Sequence, residues 1–397
     1  MKRRSFISKL ALAASPALAS TPSRGPHTLI HVFLRGGADT LNFFVPYADD
    51  RYYRLRPALA VPISQAIRVS EHYALHPALR PLEAAFKEGR FGAVQAVGVD
   101  NTSGSHFDCQ DQMEHGDSMQ GAPAGGGWLG RFLRQHDAVS ALSAVAIGRS
   151  LPESLRGAPA VSVLERMDEI GIRGAGDASP VVQALEAMYG AEVTLLGRRG
   201  RETLDLLRQV SRLQGRGEPP SGGAEYPKDA FGVGLREIAR LVKARVGLQV
   251  ACIDLGGWDT HFFQGNATGT QAERIATLAA GLAALEKDLS DCPDTWTVMV
   301  TTEFGRRVYE NASLGTDHGR GFALMALGAR VKGGRVLGSW PIRAEEDVNV
   351  NTPGPGGLHA ETDYRDVFAE VLRGCFGLRA ELGRIFPGAS LRSTGLM

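Results

Sequence analysis

One stretch, Leu248 to Leu327, constrains the fold more than any other. An apolar strand is predicted at Leu248–Ile253 and runs into Gly256-Gly257-Trp258-Asp259-Thr260-His261. An amphipathic helix is predicted from Gln271 to Leu289. A second apolar strand, Trp296–Val300, ends in Thr301-Thr302-Glu303-Phe304-Gly305-Arg306. A polar loop then closes on Thr316-Asp317-His318-Gly319, and a third apolar run, Phe322–Leu327, leaves it. Strand, helix, strand is a right-handed parallel crossover. Open parallel sheets bind ligands beyond the carboxyl ends of their strands. Asp259, His261, Glu303, Asp317 and His318 are therefore expected to converge, and carboxylate and imidazole are both metal-ligand types. Singly, an Asp after a strand is often a helix cap and a His is often a hydrogen-bonded structural residue. Five such groups at three successive strand ends favour a site.

The chain is long enough for a full core in one large domain or two smaller ones, with 397 residues of which 43% are hydrophobic. Its 44 basic and 43 acidic residues leave a formal charge of +1, so no broad nucleic-acid footprint is present. Cys109, Cys252, Cys292 and Cys375 form no C-x-x-C pair, which argues against a cysteine zinc site.

The first residues look like an address, not part of the fold. Lys2-Arg3-Arg4-Ser5-Phe6-Ile7 precedes a short apolar run, Leu10 to Ala14, and Ala17-Leu18-Ala19 offers a cleavage site. Paired arginines before Ser-Phe-Ile match the twin-arginine pattern. The run is too short to span a bilayer. Residues 1–19 are thus expected to be a signal peptide and 20–27 a linker. Cleavage would remove four basic residues and no acid, leaving a formal charge of −3. A bacterial source is expected, with the translocase as a partner in export, a periplasmic or extracellular destination and no transmembrane span in the mature chain.

A strand at Thr28–Leu34 runs into Arg35-Gly36-Gly37-Ala38-Asp39, where two glycines permit a sharp turn close to a ligand. The spacing is not that of a dinucleotide fingerprint. A strand at Phe91–Val97 feeds Asp100-Asn101-Thr102-Ser103-Gly104-Ser105-His106-Phe107-Asp108 at a helix start. One Ser or Thr there is a cap; three hydroxyls crowded with a histidine also suit a nucleophile beside a helix N-terminus. Residues 150–227 are expected to be a helical insertion on a domain spanning 28–390. A hairpin is expected at Val331–Gly338.

These motifs together resemble an exported bacterial family, domain of unknown function 1501. The resemblance rests on the twin-arginine start, Arg35 to Asp39, Ser105-His106-Phe107-Asp108, Gly256 to His261, Glu303-Phe304-Gly305-Arg306, Asp317-His318 and Asp363-Tyr364-Arg365. That family in turn resembles a branch of the alkaline phosphatase and sulfatase superfamily. The resemblance implies an α/β fold with a mostly parallel central sheet sandwiched by helices. It further implies two metal sites at the strand ends and a hydroxyl nucleophile. Asp39 matches the first aspartate ligand, Asp259 and His261 one metal site, and His318 the last histidine. Glu303 falls where an Asp-His pair is expected, and Phe304 replaces its histidine. His106 or Asp317 could compensate. The nucleophile lies among Thr102, Ser103 and Ser105, with Ser105 favoured, and no sulfatase-type cysteine signature is present.

The resulting expectation is an exported metal-dependent hydrolase of phosphate or sulfate esters, small or polymeric. One or two divalent ions (Zn, Mn, Mg or Ca) are expected on Asp39, Asp259, His261, Glu303, Asp317 and His318, with Ser105, His106 and Arg306 in catalytic roles. Two such ions sit ~4 Å apart and clamp an in-line transition state, and Arg306 suits a substrate oxyanion. The alternative is a non-catalytic exported protein that keeps the fold and binds a metal or a glycan. A third possibility is a structural or secretion-associated partner without metal.

Overall fold

The computed structural model describes residues 27–119, 121, 125–136, 140–169, 180–214, 219–340, 342 and 360–397. The expected signal peptide, the linker up to residue 26 and residues 349–357, a stretch whose sequence reads as a turn-rich loop, lie outside them.

Nine strands form the main sheet. In chain order they are β1 (Thr28–Arg35), β2 (Phe91–Gly98), β3 (Ala144–Ile147), β4 (Ser162–Leu164), β5 (Val250–Gly256), β6 (Trp296–Thr302), β7 (Phe322–Leu327), β8 (Val336–Gly338) and β9 (Thr362–Asp363). The order across the sheet is β8-β2-β7-β6-β1-β5-β3-β4, with β9 also on β2. β7 alone runs against its neighbours; all the other pairings are parallel. β1 is central and buried on both faces, which is why Thr28–Arg35 reads as an almost unbroken apolar run.

Helices cover both faces. In chain order they include α1 (His106–His115), α2 (Trp128–Gln135), α3 (Ala230–Lys243), α4 (Thr270–Asp288) and α5 (Tyr364–Phe376). Ile30, Val32 and Leu34 of β1 join Leu235 and Ile238 of α3 and Ile275, Leu278 and Leu282 of α4 in one core layer. Leu29 and Phe33 face the other way, with Trp128 and Phe132 of α2 and Val367, Phe368 and Val371 of α5. This alternation along one strand is the period-2 rule applied to a sheet with two dry faces. The expected crossover from β5 through α4 to β6 is present, but β1 lies between its two strands. The segment predicted as a hairpin is different: β8 pairs in parallel with β2. A parallel partner needs a crossover, and no turn chemistry within Val331–Gly338 can supply one.

Between β4 and α3 lie two helices, Pro180–Ala191 and Leu195–Gln214. After β1 the chain makes an excursion with a small sheet of Phe44–Val45, Ala74–Leu75 and Ile67–Arg68, packed on Leu41, Tyr52 and Val308. No helix of the described residues is long and apolar enough to cross a membrane. The four cysteines carry free thiols.

His31 of β1 is buried among Phe33, Trp128 and Phe368, 3.0 Å from the Thr301 hydroxyl. Burial, helped by the Arg35 charge, pushes its imidazole down to about 3. The unfolded chain takes up a proton at His31 near pH 6.5 that the folded chain refuses, so stability falls as pH drops below that value. Between pH 6.5 and 5 this residue should remove about 2 kcal/mol of unfolding free energy, at about 1.4 kcal/mol per pH unit. Denaturant unfolding at pH 7 and pH 5 should show the drop shrinking by that amount in His31→Gln. Equal drops in the two proteins would exclude a neutral buried His31.

Candidate metal site

The carboxyl ends of β1, β2, β5 and β6 and the entry to β7 share one edge of the sheet. Register sets Leu34 of β1 level with Leu255 of β5 and Thr302 of β6, so the segments that follow them emerge side by side. Gly36 and Gly37 form the turn after β1, with φ of 120° and 66°. A Cβ on Gly36 would sit 2.7 Å from the Asp259 nitrogen, and one on Gly37 would sit 2.4 Å from the Phe304 ring. Only glycine permits both the backbone angle and the close approach. After β6 the chain doubles back: Gly319 N–H donates to the Gly305 carbonyl at 2.8 Å and Arg307 N–H to that of Asp317 at 3.0 Å. That short antiparallel pairing brings His318 across from Arg306.

Three imidazoles and one carboxylate meet there. The Asp259 Oδ1 lies 3.0 Å from His261 Nε2, 3.2 Å from His318 Nε2 and 3.5 Å from His106 Nε2. The two Nε2 atoms of His261 and His318 are 3.0 Å apart. Each ring has its other nitrogen occupied. His318 Nδ1 faces the Gly104 carbonyl at 2.8 Å, His261 Nδ1 faces Asp317 Oδ1 at 2.9 Å, and His106 Nδ1 faces Glu303 Oε1 at 2.8 Å. A carbonyl or carboxylate oxygen only accepts, so each Nδ1 carries the proton. In the neutral rings all three Nε2 atoms then present a lone pair within 3.5 Å of the same Asp259 oxygen. His106 Nε2 is buried with no hydrogen-bond partner. Lone pairs this close repel unless a proton or a cation stands among them.

The electrostatics differ from group to group. Burial alone would raise the Asp259 carboxyl, but the Arg306 hydrogen bond and charge, with His318 and His261, hold it down to about 2. Burial lowers His318 below the usual imidazole range. The hydrogen bond to Glu303 outweighs burial at His106 and raises it. Glu303 is fully buried and held below the usual carboxylate range, because hydrogen bonds led by His106 and Gln110 overcome its desolvation.

The other predicted site residues stand behind this cluster. Glu303 Oε1 accepts from His106, from Gly36 N–H at 2.9 Å and from Gln110 at 2.7 Å, while Oε2 accepts from Thr302 at 3.1 Å. Asp317 accepts from His261 and from Asn311 at 3.1 Å. Arg306 is buried and its donors are spent on the scaffold: the carbonyls of Gly37, Thr316, Gly36 and Trp258, and Asp259 Oδ1 at 2.6 Å. Asp39 is not brought to the cluster's donor atoms. Its two oxygens are bound by Arg56, and Gln264 adds a third hydrogen bond at 2.7 Å, all out of water. Ser105 is the N-cap of α1, accepting from Asp108 N–H at 3.4 Å, and Ser103 Oγ accepts from Ser105 N–H. Phe304 packs its ring 4.8 Å from His106 and 4.7 Å from His318, an apolar floor under the two imidazoles.

Sequence reasoning missed Gln110, Asn311, Arg56 and the Gly104 carbonyl. Gln110 had a signal, since it lies one helical turn after His106 and on the same face. Arg56, from the Pro-rich excursion after β1, had none. Phe107 and the pair Phe262 and Phe263 are exposed beside His106 and His261.

Fold and site together define a mostly parallel α/β protein with a potential metal-binding group of histidines and an aspartate at its strand ends; His106, Asp259 and His318 offer ligand atoms all within 4.8 Å. The chain belongs to the family described as "Protein of unknown function (DUF1501)", which matches residues 26–365. No curated protein matches the chain in sequence. Among solved structures it is similar to the C-terminal periplasmic domain of EcEptC from Escherichia coli in complex with Zn. Identity there is 9%, the TM-score is 0.35, and 77% of this chain and 74% of that one are covered. It is also similar to Ps i-CgsB in complex with k-i-k-neocarrahexaose, at 11% identity and a TM-score of 0.41, over 93% of this chain and 75% of that one.

Removing the Asp39 carboxylate would strand the buried Arg56 guanidinium, and breaking a buried pair from one side costs about 3–5 kcal/mol. Asp39→Ala should lose stability of that order in denaturant unfolding and take up metal to the same extent as wild type by elemental analysis. Unchanged stability with loss of metal would instead make Asp39 a ligand.

Proposed function

We propose that this chain is an exported metalloprotein that binds one divalent transition ion on His106, His261, His318 and Asp259, with the fold serving chiefly as a binding scaffold. One observation carries this: three Nε2 atoms, each with its Nδ1 proton pinned, are turned on one carboxylate oxygen. Metal-ligating histidines commonly donate their other N–H to a carboxylate or carbonyl in this way. Donors ~2.0–2.1 Å from a tetrahedral ion stand about 3.3 Å apart. The three distances to Asp259 Oδ1 and the one between His261 and His318, 3.0–3.5 Å, suit that spacing, and the ligand atoms of His106, Asp259 and His318 lie within 4.8 Å of one another. Three imidazoles and one carboxylate favour Zn, Fe or Mn over Mg or Ca.

When bound, such an ion supplies Lewis acidity and lowers the pKa of a water. The protein's own residues do the rest. Glu303, Asp317 and the Gly104 carbonyl hold the three ring protons and thereby the tautomers. Gln110 and Asn311 hold those carboxylates. Phe304 keeps water from one side of the imidazoles. Arg306 draws on Asp259 and limits how much charge that carboxylate can offer. Asp39 and Glu303 were the expected core of a second metal site, and their hydrogen-bond partners favour a single ion over two. Export rests on the twin-arginine leader, and placement as a branch of the alkaline phosphatase and sulfatase superfamily on the motif order.

The purified, exported protein should hold about one equivalent of metal without supplementation, and chelation should lower its Tm through loss of a ligand that binds the folded state. His261→Ala should lose the ion. Glu303→Gln, which removes the anionic acceptor behind His106 and also touches Gly36, Gln110 and Thr302, should weaken affinity by about 10–100-fold. A folded wild-type protein that takes up no metal at any supplied concentration would overturn the proposal.

Ester hydrolysis is the second function proposed, favoured by the position of Ser105, chain neighbour to His106 and cap of α1. Asp259 is half-exposed, so the cluster is open to a substrate. Under that function Ser105→Ala should abolish hydrolysis of aryl phosphate or sulfate probes and leave the metal content intact. Wild-type protein loaded with metal and inert to both probe classes would leave the binding role standing alone.

A further inference from the structure

A cavity of about 620 Å³ lies on the other side of Arg35 from the imidazole cluster, and its origin is a mismatch of strand lengths. β3 stops at Ile147, paired with Ile253, while β5 continues to Gly256 alongside β1. The step left beyond Ile147 is roofed by the first turn of α3 and by the loop after β3. It opens at the carboxyl edge of parallel strands, the usual ligand position in such sheets, and its size is that of a small-molecule pocket.

Its walls divide by chemistry. Ala146, Ile147, Cys252, Ile253, Phe231 and Val233 make the interior apolar. Burial pushes the Cys252 thiol up, so it stays neutral there. Charged groups stand around this interior, and most are already matched. Arg35 donates to Asp254 at 3.0 Å and to Glu114, Arg149 donates to Glu165 at 2.7 Å, and Asp229 caps α3 by accepting from Gly232 N–H. Lys228 is exposed and makes no ion pair with a described residue, and Arg166 reaches Asp168 only at 4.0 Å. The lining has four basic and three acidic residues, an excess of one positive charge beside an apolar interior. A sugar would leave its hydroxyls unpaired against Ile, Val and Phe.

We infer that this cavity is a binding site for an aliphatic carboxylate, its chain against Ile147, Ile253, Phe231 and Val233 and its head at Lys228 and Arg166. The site is separate from the metal cluster and does not depend on it. Arg35 forms the partition, donating on one side to Asp254 of the cavity wall and on the other to Gln110, which holds Glu303.

The test is calorimetric titration of the full exported protein with decanoate and with decanol, a chain of about ten carbons suiting the volume. Wild type should bind decanoate saturably at one site. Lys228→Glu should weaken decanoate about tenfold by placing an anion at the head, and leave decanol within about twofold. Val233→Trp should abolish binding of both by filling the interior. If that variant fails to fold, exposed Lys228→Glu decides alone. No saturable decanoate binding by wild type, or equal decanoate affinity in wild type and Lys228→Glu, would overturn the inference.

Discussion

The carboxyl edge of this sheet is held by one guanidinium. Arg306 reaches from the loop after β6 to the carbonyls of Gly36 and Gly37 after β1, of Trp258 after β5 and of Thr316 before β7, and to the Asp259 carboxylate. Carbonyls at strand ends have lost their ladder partners, and buried carbonyls without partners are expensive. A planar fork of five N–H donors can satisfy several at once from a single centre, which lysine cannot do. Every segment that contributes to the imidazole cluster, except the start of α1, passes within reach of this side chain. The cluster's geometry is therefore a property of the scaffold before any ion is considered.

Around that scaffold the ring protons are settled by acceptors drawn from three different parts of the chain. Glu303 comes from the end of β6, Asp317 from the loop before β7 and the Gly104 carbonyl from the loop before α1. Glu303 is also held by Gly36 and Gln110, so His106 inherits its orientation from both β1 and α1. This layering has a consequence for stoichiometry. A carboxylate whose lone pairs are filled by protein donors has little left for a metal, and Asp39 and Glu303 are both in that condition. Phe304 is an apolar surface under two of the imidazoles and has no lone pair to give.

Much of the sheet was legible because burial on both faces leaves an unmistakable signature. Thr28–Arg35, Phe91–Gly98, Val250–Gly256 and Trp296–Thr302 are apolar runs of strand length, and Gly36-Gly37 and Gly256-Gly257 mark sharp turns at two of their ends. The partner of β8 was not legible, since three residues carry no register information and parallel pairing is decided across a long connection. The convergence of Asp259, His261, Glu303, Asp317 and His318 followed from strand ends alone. Which of them face one another did not, and neither did the buried match of Asp39 to Arg56, whose carrier segment has no periodicity to place it.

Local chemistry in the chain thus determined the strands, the helix starts and the kinds of group that would gather at one edge: two histidines and three acids flanking apolar runs, with a third histidine next to a helix cap. Those are consequences of short-range sterics, periodicity and capping, all readable within a few residues. Tertiary structure alone decided the roles. Whether a carboxylate touches an imidazole proton, an arginine or open space depends on distances of about 3 Å between segments remote in sequence, and a hydrogen bond or ion pair weakens steeply beyond that range. The cavity beyond β3 belongs to the same category, because it arises from the difference in length of two strands that the sequence does not show to be neighbours.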